Sequence, residues 1–164
     1  MGMSRCLLLV KSVHHGNTAK VAQAMAGVLG AQVAAPESVP YTSLADCGLL
    51  GMGSGVYGGR LHPALVEWVR GLPDSRVPTT PAFLFSTSGL PFLGAFWHWP
   101  LRRLLARKGF RVVAEFACRG FDTWGPLWLA GGLNRDHPDA HDLARATTFA
   151  ADMARHIRPL EASC

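Results

Sequence analysis

The chain has 164 residues, of which 49% are hydrophobic and 16% are charged, and its formal net charge is +5. This length favours a single domain over residues 1–164, and the apolar content excludes an intrinsically disordered chain. No apolar run reaches the roughly 20 residues that cross a bilayer, and the first apolar run is too short for a signal peptide, so we expect a cytoplasmic protein.

Short apolar runs alternate with longer segments of helical period along the chain. Strands are predicted at residues 6–11, 32–35, 47–52, 82–85 and 111–116. Helices are predicted at about 17–29, 62–72, 99–108 and 140–157. This alternation indicates an α/β fold built on a doubly wound, five-stranded parallel sheet of order 2-1-3-4-5 with helices on both faces. Right-handed crossovers then bring the loops after strands one, three and four to one edge of the sheet.

The loop between the first strand and its helix reads Ser12-Val13-His14-His15-Gly16-Asn17-Thr18. Its free backbone N–H groups and the helix dipole attract an anion, and the glycine permits close approach. The patterns GxxxxGK[ST] and GxGxxG are absent, so ATP and dinucleotides are weaker candidates than a phosphate monoester. Adjacent histidines seldom converge on one ion, and no third ligand is near in sequence, so we expect no metal here.

Two further loops are predicted at the same edge. Residues 51–59 hold five glycines, which leave the backbone open to a flat ligand, and one tyrosine for ring stacking. The candidates in this loop are Gly53, Ser54, Gly55 and Tyr57. The loop after the fourth strand offers hydroxyl donors and open backbone. Its candidates are Ser86, Thr87, Ser88 and Gly89.

These three loops, in this order, resemble those of the flavodoxin family. Ser12, Gly16, Asn17 and Thr18 match the pattern Thr/Ser-x-Thr-Gly-Asn-Thr, with one extra residue before the glycine. The resemblance covers about residues 6–157 and implies a flavodoxin-like fold that binds FMN, with the phosphate in the first loop, His14 and His15 included, and the ring between the other two. The third loop lacks the acidic, tyrosine-bearing sequence of flavodoxin carriers, and the net charge is basic, so a divergent branch is implied.

The resemblance implies a redox protein that transfers electrons or reduces a small substrate or a quinone. Whether it is a carrier or an enzyme is left open by the residues. Two alternatives stand beside it: a protoporphyrinogen- or quinone-linked oxidoreductase on the same fold, and a non-catalytic domain that binds a phosphorylated ligand or a protein. The expected partner is a redox protein or a small electron acceptor, and not nucleic acid.

Two segments, 90–99 and 121–129, are rich in aromatic residues but interrupted by proline and glycine, which predicts loops near the ligand edge. They could cover the flavin, form a homodimer interface or touch a membrane surface. No acidic residue occurs between positions 75 and 114, which predicts a basic face for an acidic protein, a membrane or an anionic ligand, or else an ordinary solvated helix face. The basic residues in this interval are Arg76, Arg102, Arg103, Arg107, Lys108 and Arg111.

The four cysteines form no CxxC pair and match no zinc spacing, which favours buried, reduced thiols. Cys118 follows the fifth predicted strand and precedes Arg119, a neighbour that could lower a thiol pKa. A buried, inert Cys118 is the preferred interpretation and a redox thiol the alternative. Arg119 and Asp122 are further candidates for contacts with an anionic ligand or a ring N–H.

Overall fold

A six-stranded sheet forms the centre of the structure, a computed structural model that describes residues 5–13, 16–120 and 135–157, with the backbone alone over 75–79. Its strands are β1 (Arg5–Lys11), β2 (Gln32–Ala34), β3 (Cys47–Tyr57), β4 (Arg60–Leu61), β5 (Ser75–Ser88) and β6 (Lys108–Arg119). The order is β2-β1-β3-β5-β6, all parallel, and the short β4 pairs antiparallel with β3. The five parallel strands therefore confirm the predicted 2-1-3-4-5 order.

Helices cover both faces of this sheet. They are α1 (Asn17–Leu29), α2 (Pro63–Arg70), α3 (Gly94–Arg107) and α4 (Ala140–Ala154). One buried cluster joins α1 and α4 to the sheet, and a second joins α2 and α3 to the opposite face. Among the helices in the described ranges, none is long and apolar enough to cross a membrane.

The strands at the centre of the sheet bury side chains on both faces. Leu8 and Leu9 are both fully buried, the first in the α1–α4 cluster and the second in the α2–α3 cluster. A parallel strand covered on both faces needs a continuous apolar run, which is the pattern that predicted β1. Each such leucine contributes about 1.5–3 kcal/mol through removal from water.

The glycine-rich segment after residue 50 is part of a strand, and the prediction of a glycine turn over 51–59 was wrong. β3 continues to Tyr57, and only Gly58 and Gly59 form the turn. A Cβ on Gly51 would overlap the Phe83 ring, and a Cβ on Gly53 would overlap the Phe85 ring. Gly51 and Gly53 therefore make room for aromatic rings of the neighbouring strand, and Gly55 makes room for the Tyr57 side chain of its own strand.

Two other strands also extend beyond their apolar runs. Ser86, Thr87 and Ser88 lie inside β5, not in a loop after it, and Cys118 lies inside β6. The ladder pairs Ser86 with Ala117 and Ser88 with Arg119. Backbone hydrogen bonds continue to pair the strands beyond their last apolar residues. The strands are therefore longer than the hydrophobic pattern predicted.

The first aromatic segment is helical over its second half, which contradicts the predicted loop. A 3₁₀ turn (Pro91–Leu93) leads directly into α3 at Gly94. The buried residues of α3 recur with a helical period, but the first two are a glycine and a histidine. The hydrophobic pattern therefore did not predict the first turns of this helix. Its residues are Gly94, His98, Leu101 and Leu105. A Cβ on Gly94 would lie only 2.7 Å from Ala117 Cβ. The second segment, 121–129, lies outside the described residues.

We predict that Gly53→Ala destabilises the protein by about 1–3 kcal/mol, because the added methyl group must displace the buried Phe85 ring. Gly27→Ala is the matched control, since Gly27 lies in α1 with nothing within 4 Å of the added Cβ. There we expect a gain of roughly 0.5–1 kcal/mol from helix propensity. Urea unfolding of both variants measures the two effects, and equal effects would contradict the packing role of Gly53.

Candidate functional site

The amino terminus of α1 lies at the carboxyl edge of the sheet. Gly16 precedes the helix in the left-handed conformation, with φ of 65°, and as a glycine it supplies no side-chain cap. Asn17 and Thr18, in the first turn, are 6% and 1% exposed. Ser12 is half-buried, and His14 and His15 lie outside the described residues. This arrangement presents backbone N–H groups and the positive end of a helix dipole to a ligand.

The ends of β5 and β6 meet this helix start. Gly120 N–H donates to Ser88 O over 3.0 Å. A Cβ on Gly120 would lie 3.0 Å from Asn17 Nδ2 and 3.0 Å from Thr87 Cβ. The first loop and the ends of β5 and β6 therefore converge as predicted from right-handed crossovers, and Gly120 is a member of the cluster that the sequence interpretation missed.

Tyr57 joins the end of β3 to the first loop. Its hydroxyl accepts a hydrogen bond from Val13 N over 3.2 Å. The hydroxyl folds back over Gly55, where an added Cβ would lie 2.7 Å from it. The ring meets His62 edge-on, with centroids 5.6 Å apart. Tyr57 thus forms one wall of the site beside the loop that starts α1.

Most of the hydroxyl groups proposed as ligand donors are bonded within the protein. Thr18 Oγ1 and Thr87 Oγ1 are 2.8 Å apart, which ties α1 to β5. Ser54 Oγ donates to Gly55 O and accepts from His62 N. Ser54 and Thr87 are paired in the sheet on both sides, so Thr18, in the first turn of α1, is the one of these residues whose backbone N–H lies outside a strand ladder.

Ser88 is the exception among the proposed donors. Its side chain is buried, at 7% exposure, and its Oγ has no hydrogen-bond partner in the described part of the structure. A buried hydroxyl without a partner costs about 1–3 kcal/mol, which a bound ligand would recover. Ser88 and the half-buried Gly89 stand at the end of β5, beside the start of α1.

A buried polar relay lies behind this edge, and sequence reasoning missed two of its members. Ser86 Oγ is 2.9 Å from His98 Nε2, and His98 Nδ1 is 3.3 Å from Glu115 Oε2. Because an ionised carboxylate only accepts, Nδ1 carries the proton and Nε2 accepts from the serine hydroxyl. Arg102 Nη1, 3.4 Å from Glu115 Oε1, links the relay to the surface.

This order of groups matches a Ser-His-acid hydrolase triad, but its burial excludes that chemistry. Ser86 and His98 are both 0% exposed, so no substrate carbonyl can reach the serine. Burial lowers the pKa of His98, against the opposing effect of the Glu115 carboxylate. The relay therefore holds a neutral imidazole that fastens α3 to β5 and β6.

One group of potential metal ligands occurs within the described ranges, at the start of α4. The ligand atoms of His137, Asp139 and Asp142 lie within 4.8 Å of one another. Asp139 and Asp142 form a reciprocal capping box, and His137 Nδ1 is 2.5 Å from Asp142 Oδ2. Helix capping accounts for all three side chains.

Cys118 is a buried thiol, in agreement with the preferred interpretation. It is 0% exposed and packs in the α1–α4 cluster. Burial, with a smaller contribution from the Asp142 carboxylate, raises the pKa of Cys118 to about 12. The neighbouring Arg119 side chain is exposed and does not make this thiol acidic. Asp122 lies outside the described residues.

We predict that the free energy of unfolding falls as the pH drops below about 6.5, in part through His98. Because burial lowers the pKa of His98 in the folded state, the unfolded chain takes up a proton at this residue at a higher pH than the folded chain does. One such site changes the free energy of unfolding by at most about 1.4 kcal/mol per pH unit. His98→Gln should flatten the profile between pH 7.5 and 5.5, whereas His141→Gln, an exposed control, should not. Parallel profiles for the wild type and both variants would contradict this assignment.

We also predict that Cys118 resists alkylation by iodoacetamide at pH 8 while the protein is folded. The high pKa keeps the thiol protonated, and burial keeps the reagent away. Peptide-level mass spectrometry would show modification of Cys118 only after denaturation in urea. Modification in the native state at the rate of a free cysteine would restore the redox-thiol interpretation.

Comparisons with solved structures show the same fold at low sequence identity. Flavodoxin 2 from Bacillus cereus superimposes with a TM-score of 0.66 and 17% identity, covering 92% of this chain and 98% of that chain. A flavodoxin from the domain Archaea gives 0.64 and 14%, covering 93% and 98%. Rubredoxin oxygen:oxidoreductase from Desulfovibrio gigas gives 0.64 and 15%, covering 94% of this chain but 36% of the larger protein.

No established family model matches the sequence. The uncharacterized protein MJ0298 of Methanocaldococcus jannaschii is 36% identical over 152 residues, which span 93% of this chain and 99% of that protein. Such identity over nearly the whole of both chains, together with the strand order and the fold matches, shows that the chain belongs with this archaeal protein to a divergent flavodoxin-like family.

Proposed function

We propose that this protein binds FMN at the carboxyl edge of its sheet and acts as a redox protein. The observation that carries the proposal is that the start of α1, where Gly16 supplies no side-chain cap, and the buried Ser88 hydroxyl, which has no partner among the described residues, lie at the same edge. The first suits a phosphate and the second suits the polar rim of a ring. The edge therefore offers the two kinds of contact that FMN requires.

The phosphate would lie at the start of α1. Gly16 precedes the helix in a left-handed conformation, and the N–H groups of the first helical turn together with the helix dipole favour a dianion there. The proposed phosphate residues are Ser12, His14, His15, Gly16, Asn17 and Thr18. Since Thr18 Oγ1 is bonded to Thr87, its contribution would come from the backbone N–H.

The ring would lie between the end of β3 and the end of β5. Tyr57 offers an aromatic wall on one side, and Ser88 and Gly89 offer polar groups on the other. Gly53 and Ser54 are buried within β3 and support this wall from inside, while Gly55 leaves room for Tyr57. FMN would supply electron transfer at its ring, and the protein would position the ring and limit the access of water to it.

A quinone-linked oxidoreductase is a second candidate within the same proposal. Three apolar side chains next to the Ser88 edge are strongly exposed: Leu90 at 46%, Phe92 at 78% and Phe96 at 75%. Exposed apolar side chains of this kind would suit an apolar electron acceptor. Oxidation of NADH or NADPH by the FMN-loaded protein, with and without an added quinone, separates an enzyme from a carrier.

The decisive prediction separates recognition of the phosphate from recognition of the ring. Ser12→Asp puts a carboxylate beside the proposed phosphate site, and repulsion between like charges should weaken FMN at least about tenfold. Riboflavin, which has no phosphate, should lose less than about twofold by the same reasoning. Thr42→Asp is the matched control, because Thr42 is exposed in a 3₁₀ turn before β3, at the opposite edge of the sheet.

Flavin fluorescence quenching and calorimetry measure the affinities of FMN and riboflavin for the wild type and for both variants. The proposal expects about one FMN for each chain, with FMN bound more tightly than riboflavin. A protein that is purified colourless and does not bind added FMN would overturn it. That outcome would favour the alternative of a non-catalytic domain. In that case the hydrogen bond from Val13 N to the Tyr57 hydroxyl would hold the first loop against the end of β3.

A further inference from the structure

A groove between α2 and α3 is distinct from the FMN edge. It consists of two adjoining cavities of about 390 and 310 Å³ that share Val66, Arg70 and Pro100 in their walls. Trp97 lines the first cavity, and its Nε1 would lie 3.5 Å from a Cβ on Gly59. Val66 and Pro100, which line both cavities, form the apolar part of the groove that we call its floor.

Four arginines line the groove, two on each side. Arg60 and Arg70 belong to the β4–α2 side, and Arg103 and Arg107 to α3. All four are exposed, and none makes an ion pair within the described ranges. One carboxylate, Glu67, also lines the first cavity. Among the described residues, four arginines and one carboxylate thus line the groove, which gives it a net positive charge.

Other cations close to these arginines are already neutralised. Arg102, also on α3, pairs with Glu115 at 3.4 Å, and Lys108, directly after α3, pairs with Asp74 at 2.7 Å. Of the cations on α3 and directly after it, Arg103 and Arg107 are thus the two without an ion pair among the described residues, with Asp74 acting on Arg107 at longer range. Arg103 is further held by a cation–π contact with Trp99, with its Cζ 4.9 Å from the ring centroid. A guanidinium fixed in this way loses little entropy when it binds a carboxylate.

We propose that this groove is the docking site for an extended acidic peptide segment of a partner protein. The spacing on α3 favours a peptide, because Arg103 and Arg107 are one turn and about 6 Å apart along the helix. Alternate residues of an extended chain are about 6.6–7 Å apart, so two acidic residues separated by one position match the two arginines. The residue between them points the other way, toward Val66 on the α2 side of the groove, so an apolar residue at that position can pack against this wall.

The concave shape favours a peptide over a membrane. A bilayer surface is flat and meets protruding residues, whereas these arginines flank a depression between two helices. The groove does not include any residue of the proposed FMN site. The inference therefore goes beyond the proposed function, and its failure would leave FMN binding untouched.

The test uses the full chain, with and without added FMN, and a synthetic peptide of about a dozen residues that repeats Glu-Leu-Glu-Ser. Calorimetry gives the affinity, and the indole N–H signals of Trp97 and Trp99 in ¹⁵N NMR spectra report whether the groove is occupied. We expect binding that is weakened by salt, shifts in both indole signals, and no binding of a Lys-Leu-Lys-Ser peptide. A Glu-Ser-Glu-Ser peptide should bind more weakly, because it cannot fill the apolar floor.

Arg70→Glu combined with Arg103→Glu should weaken the acidic peptide at least about tenfold. The matched control is Lys20→Glu combined with Arg111→Glu, which changes the net charge equally at two exposed residues away from the groove. We expect less than about a twofold effect for this control. All substituted side chains are exposed, so thermal unfolding of each variant should stay close to that of the wild type.

Three results would overturn the proposal. The first is an absence of peptide binding, and the second is an equal loss in both double variants, which would indicate long-range charge alone. The third is binding to phosphatidylglycerol vesicles that depends on Arg70 and Arg103 more strongly than peptide binding does. That result would assign the groove to a membrane surface.

Discussion

The packing of two phenylalanine rings against two glycines holds the centre of the molecule together. Phe83 and Phe85 of β5 are fully buried and occupy the space where Gly51 and Gly53 of β3 have no side chains. Phe83 also packs edge-on against Phe149 of α4, with centroids 5.5 Å apart. The two rings thus fill the space above the glycines, and Phe83 also joins this packing to α4. The edge that carries the candidate site depends on this arrangement because both strands run directly into it.

The alternation of apolar and small residues along the buried strands explains which parts of the fold could be predicted. Apolar runs and helical periods gave the strand order, because each central strand is buried on both faces. They failed where small or polar residues occupy buried positions. Gly51 and Gly53 resembled a turn, yet their period of two marks a strand. Gly94 and His98 concealed the buried face of α3, since neither residue is hydrophobic.

Prediction of the candidate site from the sequence is limited in a related way. The hydroxyl residues predicted in a loop after the fourth strand lie at the end of β5 itself. A sequence also does not reveal which hydroxyls bond to one another. Thr18 with Thr87 and Ser86 with His98 are pairs from distant parts of the chain. Burial forces such groups to find partners, so an internal bond is the usual fate of a hydroxyl beside a packed core. Ser88, without a partner among the described residues, is informative because it departs from that rule.

Helix α3 joins the buried polar relay to the basic groove, and its two faces require different neighbours. On the inner face, His98 is held neutral between Ser86 and Glu115, so this side depends on partners within the chain. On the outer face, Arg103 and Arg107 have no such partners in the described ranges. Glu115 pairs with Arg102, which does not line the groove, and forms no ion pair with the groove arginines. A single acidic residue of the sheet, Glu115, thus binds the inner face of α3. The positive charge of Arg103 and Arg107 on its outer face remains available to another molecule.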